Sequence, residues 1–233
     1  MSNCLVPDPT TRGPRRQDAL SRERIIAAAV EILDRGGEGQ LTVRGLTAHL
    51  STGRGAIYHH VVGKEDLLAA ATDHVIRQVT ADVATDGEAE PAIRGLALGI
   101  FDAIDTHPWV GTQLSREPMQ LAVLRIWTSM GIQLQRLGVD AARVSDAGSA
   151  LVSYILGAAA QYAAGPRTVT GEEDRKAYLD RVAATWLELD PNPLVAEAGV
   201  QLREHDDREQ FLAGVDIFLT GATGSPRPSR PAP

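Results

Sequence analysis

The sequence of 233 residues contains a single cysteine, Cys4, and no long apolar run. One cysteine excludes an intramolecular disulfide and a cysteine-based metal cluster within one chain. A run of about 20 apolar residues is needed to cross a bilayer, and none is present. The first residues also lack the apolar block of a secretory signal. We therefore expect a cytoplasmic protein with no membrane partner.

Lysine is also scarce, with 2 residues against 21 arginines, and 30 acidic residues give the chain a net charge of −7. This total disfavours a nucleic-acid partner, but the charge is unevenly distributed. Residues 1–64 carry nine basic and six acidic side chains, whereas residues 65–233 carry fourteen and twenty-four. A phosphate-bearing partner is therefore expected at the N-terminal end.

Motifs that indicate catalysis or a bound cofactor are missing. The sequence has no glycine-rich phosphate loop, no nucleophile elbow and no His/Cys metal spacing. His59 and His60 are neighbours, but adjacent helical residues point about 100° apart, and no third ligand is near in sequence. We predict that the protein is not an enzyme and holds no metal or cofactor.

Apolar residues recur at helical spacing with almost no strand signal, which predicts an all-α fold. Residues 1–18 and 221–233 are rich in proline and glycine, and we expect disordered tails there. Between them we expect an N-terminal domain over 19–64 and a larger helical domain over 65–220, connected by a helix over 64–84.

The expected helices follow from caps and stop signals as well as from periodicity. Ser21 is a good N-cap for the first helix, and Gly36-Gly37 is expected to end it. The predicted segments are 21–36, 42–50, about 54–60, 64–84, one ending at Thr106, 109–115, 119–137, 144–163, 172–189 and 209–219.

Residues 41 to 64 predict two short helices joined by a tight turn at Ser51-Thr52-Gly53. Leu41 is expected to pack on Leu46, a hydrophobic staple. Ala56 and Ile57 are expected to anchor the second helix. Two helices joined in this way form a helix-turn-helix, in which the second helix enters the major groove of DNA.

Side chains that the core of this unit does not need are suited to DNA. Arginine pairs with guanine, tyrosine reaches a phosphate or a thymine methyl, and glycine permits close approach of the backbone. Arg22 or Arg24 is a further candidate for a phosphate contact. The candidate DNA contacts are Thr42, Arg44, Arg54, Gly55, Tyr58, His59, His60 and Lys64.

Residues 21–80 resemble the DNA-binding domain of the tetracycline repressor (TetR) family of bacterial transcription regulators. The matching pattern is Leu41-Thr42-x-Arg44-x-Leu46-x-x-x-Leu50, then Gly55-Ala56-Ile57-Tyr58-x-His60-Val61, then Lys64-x-x-Leu67-Leu68. Ser51-Thr52 departs from the family's customary Gly-Val. The resemblance implies three N-terminal helices for double-stranded operator DNA and about six more for ligand binding and dimerisation. It also implies a repressor that a small, largely hydrophobic molecule releases from its operator.

Large or polar side chains on otherwise apolar helix faces are candidates for contact with that molecule. They are Phe101, Gln113, Arg116, Trp127, Met130, Tyr154 and Gln161, and core packing or surface exposure is the alternative for each. The resemblance places polar ligand contacts near Gln113 and Arg116. His107-Pro108-Trp109 is better explained as a helix break with an aromatic plug.

A homodimer is expected through the helices 144–163 and 209–219. The first is apolar on nearly every face, which predicts burial on both sides. Its small residues, which permit close approach of a second helix, are Gly148, Ser149, Gly157, Ala158 and Ala160. Two other functions stay open: a DNA-binding regulator without an effector, and a helical enzyme.

Overall fold

The structure is a computed structural model, and it describes residues 20–81, 83, 86–164, 172–204 and 206–224. These residues form eleven helices and no strand, which confirms the all-α prediction. None of these helices combines the length and the hydropathy of a membrane span. The helices are α1 (Arg22–Gln40), α2 (Val43–His49), α3 (Arg54–Tyr58), α4 (Lys64–Ala81), α5 (Ala89–Thr106), α6 (Pro108–Arg116), α7 (Leu121–Arg136), α8 (Ala141–Ala163), α9 (Glu172–Leu189), α10 (Pro193–Glu204) and α11 (Asp207–Thr223).

Side-chain caps start the first two helices where the sequence predicts. The Ser21 hydroxyl accepts a hydrogen bond from the Arg24 backbone N–H at 3.2 Å, and the Thr42 hydroxyl accepts one from Gly45 at 2.9 Å. The predicted end of α1 is wrong, because the helix resumes after an interruption at Gly37, where φ is 66°. Glycine adopts this angle without a steric penalty, so the chain kinks there instead of leaving the helix.

The first three helices share a small core with the start of α4. Leu41 and Leu46 are both almost completely buried, as the staple requires, and Ile57 joins them. Ala56 is exposed, so the prediction that it anchors α3 is wrong. A helix of five residues makes less than two turns, so only one of two adjacent side chains can face the core.

α8 lies at the centre of the larger domain and packs against α5, α6, α7 and α11 of the same chain. Its buried apolar residues therefore pack within one chain, and the homodimer expected through this helix stays a prediction. Gly148, for example, faces the Trp127 and Leu134 side chains of α7. The exposed face of α8 consists largely of small residues, which are Ser145, Ser149, Ala150, Ser153 and Gly157.

The C-terminal helices differ most from the prediction. α10 was not expected, because Pro191-Asn192-Pro193 obscures its start, although proline is well tolerated in the first turn of a helix. α11 begins earlier than expected, where the Asp206 carboxylate accepts from the backbone N–H groups of Arg208 and Glu209. It continues to Thr223, so residues 221–223 are helical instead of part of a tail. Residues 1–18 and 225–233 of the predicted tails lie outside the described residues.

We predict that Ser51→Gly stabilises the protein, because Ser51 has a φ of 50° in the turn between α2 and α3. This left-handed conformation costs a residue with a Cβ atom about 1–2 kcal/mol, and glycine avoids that cost. Urea denaturation should show a gain of about 0.5–1 kcal/mol in the free energy of unfolding. Ser51→Ala keeps the strain and serves as the control. A glycine variant no more stable than the alanine variant would contradict the prediction.

Candidate nucleic-acid interface

The eight predicted DNA contacts lie on α2, α3 and the segments that flank them. Seven of them are exposed and His60 is half-buried. The Tyr58 side chain at the end of α3 is 55% exposed, an unusual exposure for a large aromatic residue. The rings of His59 and His60 meet edge to face, with centroids 5.4 Å apart. The α3 surface thus presents basic and aromatic side chains with no structural role in the core.

Two of the predicted contacts also have a structural role. Thr42 caps α2 through its hydroxyl oxygen. Lys64 is exposed, and its Nζ donates to the backbone carbonyl of Glu38 at 2.6 Å, which ties the start of α4 to the end of α1. Their contact with DNA stays a prediction.

The Asp66 carboxylate on α4 binds the backbone of the segment that follows α3. One oxygen of its carboxylate accepts from the Val62 backbone N–H at 3.1 Å, and the other pairs with the Arg22 guanidinium at 3.1 Å. Arg22 also donates to the His60 carbonyl at 2.6 Å. This guanidinium therefore joins α1 to the segment after α3 and to α4, and its contact with phosphate stays a prediction.

The hydrogen bond from Val62 and the Arg22 charge lower the pKa of Asp66 below its ordinary value, although partial burial opposes them. The charged carboxylate is therefore the form that stabilises the fold. Its contribution is present above the ordinary aspartate pKa of about 3.9 and is lost as the pH falls through the lower pKa of the folded protein.

The C-terminal part of α1 is bound to α6 by two carboxylates. One oxygen of Asp34 lies 2.7 Å from His107 Nδ1 and accepts from the Trp109 indole N–H at 2.7 Å. The prediction of a helix break at His107 is confirmed, since α5 ends at Thr106 and α6 begins at Pro108. The Trp109 ring is buried, as expected of a plug, and its polar N–H is satisfied by Asp34 of α1.

The second carboxylate belongs to Glu38. It accepts from the Arg116 guanidinium at 3.0 and 3.2 Å and from Gln113 Nε2 at 2.6 Å. Partial burial raises the pKa of Glu38, but these donors outweigh it and the pKa lies below its ordinary value. We call the side chains of Asp34, Glu38, His107, Trp109, Gln113 and Arg116 the α1–α6 latch. In the structure, Gln113 and Arg116 thus hold α1, and the ligand contact predicted for them stays a prediction.

The other candidate ligand residues are not brought together in one cavity. Phe101 and Tyr154 both pack on the Phe211 ring, with centroids 4.9 and 5.8 Å away. Met130 is completely buried in the core, Trp127 is half-buried, and Gln161 is exposed. Four cavities formed by the described residues are lined by none of the seven candidates. Their ligand contacts stay predictions.

A buried carboxylate on α4 connects it to α7. Asp73 is 6% exposed and pairs with Arg125 at 2.6 Å and with Arg77, one turn along α4. Burial raises the pKa of Asp73, but the hydrogen bonds to Arg77 and Arg125 have the larger effect, so this pKa lies below its ordinary value. The sequence analysis missed this residue. The only local signal is the pair Asp73 and Arg77 at i, i+4.

We predict that Asp66→Asn destabilises the protein at neutral pH, because the amide lacks the charge that attracts Val62 N–H and Arg22. The loss should be about 1–2 kcal/mol in the free energy of unfolding at pH 7. It should shrink at about pH 3, below the ordinary aspartate pKa of about 3.9, because the unfolded chain then binds a proton at this carboxyl more readily than the folded protein does. Denaturation at both pH values measures this, with the exposed Asp86→Asn as the control. Equal losses at both pH values would contradict the electrostatic explanation.

Comparison with known proteins agrees with this geometry. The family model "Bacterial regulatory proteins, tetR family" matches residues 25–71. An HTH-type transcriptional regulator of Saccharopolyspora erythraea is 30% identical over 144 residues, and the chain spans only 61% of that relative's length. The class D tetracycline repressor protein of Escherichia coli is 30% identical over 214 residues, which cover 87% of this chain and 88% of the repressor.

A solved structure of the TetR regulator SCO7222 from Streptomyces coelicolor superposes with a TM-score of 0.79 and 46% sequence identity. The match covers 88% of this chain and 98% of that protein. The agreement therefore extends beyond the helix-turn-helix into the larger helical domain. By its sequence and its fold, the chain belongs to the TetR family of helix-turn-helix transcriptional regulators.

Proposed function

We propose that the protein is a repressor that binds double-stranded operator DNA as a homodimer and is released by a small, largely hydrophobic effector. The observation that supports this most directly is the exposed set of Arg44, Arg54, Tyr58 and His59 around α3. Such side chains contact phosphates and base edges when a recognition helix lies in the major groove. The proposal assigns the protein no catalytic activity and no cofactor, and we expect it to act in the bacterial cytoplasm.

The distribution of charge supports the same orientation on DNA. Three carboxylates of α1 and α4 contact basic or imidazole side chains of other segments. Asp66 binds Arg22, Glu38 binds Arg116, and Asp34 contacts His107. The arginines on α2 and α3 are exposed. The acidic remainder of the chain disfavours non-specific association with DNA, so the α3 surface is the part of the chain that would face phosphates.

A homodimer through α8 and α11 is supported by the exposed faces of both helices. On α8, Ser149, Ser153 and Gly157 are small enough for the close approach of another helix. On α11, Ala213 is exposed and Ile217 is 73% exposed. A two-fold axis at this face would present two recognition helices. Half-sites one helical turn apart require those helices to be separated by about 34 Å.

The effector is supported by the size of the helical domain behind the DNA-binding domain and by the relative named for tetracycline. Such an effector would bind the DNA-binding form of the dimer less tightly than the released form. The factor by which it lowers operator affinity then equals the factor by which the operator lowers effector affinity.

We predict that Arg54→Ala and Tyr58→Ala each weaken operator binding by about fivefold to 150-fold, because a lost base contact costs about 1–3 kcal/mol. Fluorescence anisotropy should measure this on an operator that the wild-type protein selects from a random duplex library. Both side chains are exposed, so thermal unfolding should be unchanged. Arg181→Ala removes an exposed arginine on α9 and is the control for net charge. Unaltered affinity in both α3 variants would reject the proposed interface.

We predict that Gly157→Arg disrupts the dimer. Apart from the backbone of its own helix, no atom of the described residues lies within 4 Å of a Cβ at this position, so the substitution fits this part of the fold and should clash with a partner. Sedimentation should show a shift to monomer, and operator affinity should fall with it. Gly95→Arg is the matched control, since Gly95 is an exposed helical glycine on α5 with the same open surroundings. A Gly157→Arg protein that stays dimeric would show that the interface lies elsewhere.

A further inference from the structure

We propose that a groove near the turn between α9 and α10 binds an amphipathic organic cation, which is a small molecule with an apolar body and a positive charge. We call it the tip groove. This inference goes beyond the proposed function, since the groove lies outside the DNA-binding domain and outside the α8 and α11 faces assigned to the dimer. The evidence is the shape of the groove, its exposed apolar walls and the charge at its rim.

The tip groove exists because α9 and α10 pack closely at one level and leave an opening at the next. A Cβ atom at Gly199 of α10 would lie 3.4 Å from the Cβ of Ala183, which is completely buried on α9. Nearer the turn, larger side chains border an open volume of about 380 Å³, which is within the range of small-molecule sites. The residues that line it are Trp186, Leu189, Asp190, Leu194, Val195 and Ala198.

The turn between the two helices gives the groove a defined end. Oδ1 of Asp190 accepts from the Asn192 backbone N–H at 3.0 Å, and Oδ1 of Asn192 accepts from the Leu194 backbone N–H at 2.9 Å. The second bond caps the start of α10. Pro191 and Pro193 flank Asn192 and restrict the backbone of the turn further. The Asp190 carboxylate is therefore positioned before a ligand binds, which lowers the cost of ordering on binding.

The walls of the tip groove are apolar and exposed. Leu189 is 78% exposed, Leu194 is 71% exposed and Trp186 is 41% exposed. Single apolar side chains are common on protein surfaces, whereas several around one concave site are typical of a binding groove. A ligand with an apolar body would remove these side chains from water, and this burial favours binding.

The charge around the groove determines which class of apolar molecule fits. Residues 182–202 contain Glu188, Asp190 and Glu197 and no lysine, arginine or histidine. The structure describes the side chains of residues 174–202 without a gap, and this range includes the whole lining. Asp190 lines the groove itself. A cation next to its carboxylate gains favourable Coulomb energy, and an anion is repelled.

Trp186 supplies a second interaction that favours a cation. It precedes Asp190 by four residues, and the Asp190 backbone N–H donates to the Trp186 carbonyl at 2.9 Å, so helical spacing extends to Asp190. The two side chains therefore lie on the same side of α9. The face of an indole ring attracts cations, more strongly than the face of a phenyl ring does. An aromatic face, a carboxylate and an apolar wall together suit a pyridinium or quaternary ammonium group on an apolar body.

The class of ligand is tested with three probes of the same two-ring shape at about pH 8. They are the cation 1-methyl-4-phenylpyridinium, the neutral 4-phenylpyridine and the anion biphenyl-4-carboxylate. Isothermal titration calorimetry on the full-length protein should give the highest affinity for the cation and the lowest for the anion. We expect a difference of at least tenfold between these two, because the charge of Asp190 favours one and opposes the other.

Variants of α9 test the two groups that would contact the charge. Asp190→Asn keeps an oxygen that accepts from Asn192 but removes the charge, so cation binding should weaken about fivefold. Glu188→Gln makes the same change of charge at an exposed residue outside the lining, and cation binding should stay within twofold of the wild type. Trp186→Leu keeps an apolar wall without an aromatic face. It should weaken binding of the cation at least twofold more than binding of the neutral probe.

A lysine in the groove tests the location of the site. Leu194→Lys places a positive charge in the lining and should weaken cation binding at least tenfold. Val200→Lys is the matched control, since Val200 is an exposed apolar residue of the same helix outside the lining, and cation binding should stay within twofold. Both positions are exposed, so thermal unfolding should be unchanged in both variants.

Wild-type protein that does not bind the cation, or that binds the anion as tightly, would overturn the proposal. Asp190→Asn and Leu194→Lys proteins that bind the cation like the wild type would show that it binds elsewhere and would also overturn it. The same holds if sedimentation shows a smaller assembly for Leu194→Lys than for the wild type, because a second copy would then cover the groove. Operator affinity is measured separately, so a protein that binds its operator but fails these tests refutes the tip groove alone.

Discussion

The DNA-binding surface depends on one constraint: α3 has five residues and cannot be stable by itself. Isolated helices shorter than about 12 residues are marginal in water, so tertiary contacts must hold this one. Two contacts do so in the structure. Ile57 is buried against the core of the DNA-binding domain, and Asp66 binds the backbone just after the helix and the Arg22 guanidinium. The exposed side chains of α3 can contact DNA only because these two residues determine where the helix lies.

A similar arrangement connects the DNA-binding domain to the rest of the chain. Ion pairs and hydrogen bonds at partly exposed sites each contribute little to stability, typically about 0–1 kcal/mol. The α1–α6 latch is therefore better suited to orientation than to holding the fold together. Asp73 on α4 is different, since it is buried between two arginines, and removing either arginine would leave a poorly compensated charge.

Local signals predicted the helices and their caps well, and the exceptions have physical causes. Ser21 and Thr42 were found because a capping hydroxyl bonds to an N–H group three residues ahead. The continuation of α1 past Gly37 was missed, because glycine permits both a stop and a kink and the choice depends on later packing. The pairing of Gln113 and Arg116 with Glu38 was missed for a related reason, and their ligand contact stays a prediction. Polar groups on an apolar helix show that a partner is needed without showing which partner it is.

By itself the sequence determined the all-α class, the helix-turn-helix and the basic and aromatic character of its exposed surface. These properties follow from interactions between residues a few positions apart, which periodicity and capping patterns record directly. Only the tertiary structure decided which carboxylates pair with arginines to hold the helices of that surface in place. It also decided where the cavities of the larger domain lie. Asp66 meets Arg22 across 44 residues, and Glu38 meets Arg116 across 78. Such pairs leave no local pattern, because their meeting depends on how the helices between them pack.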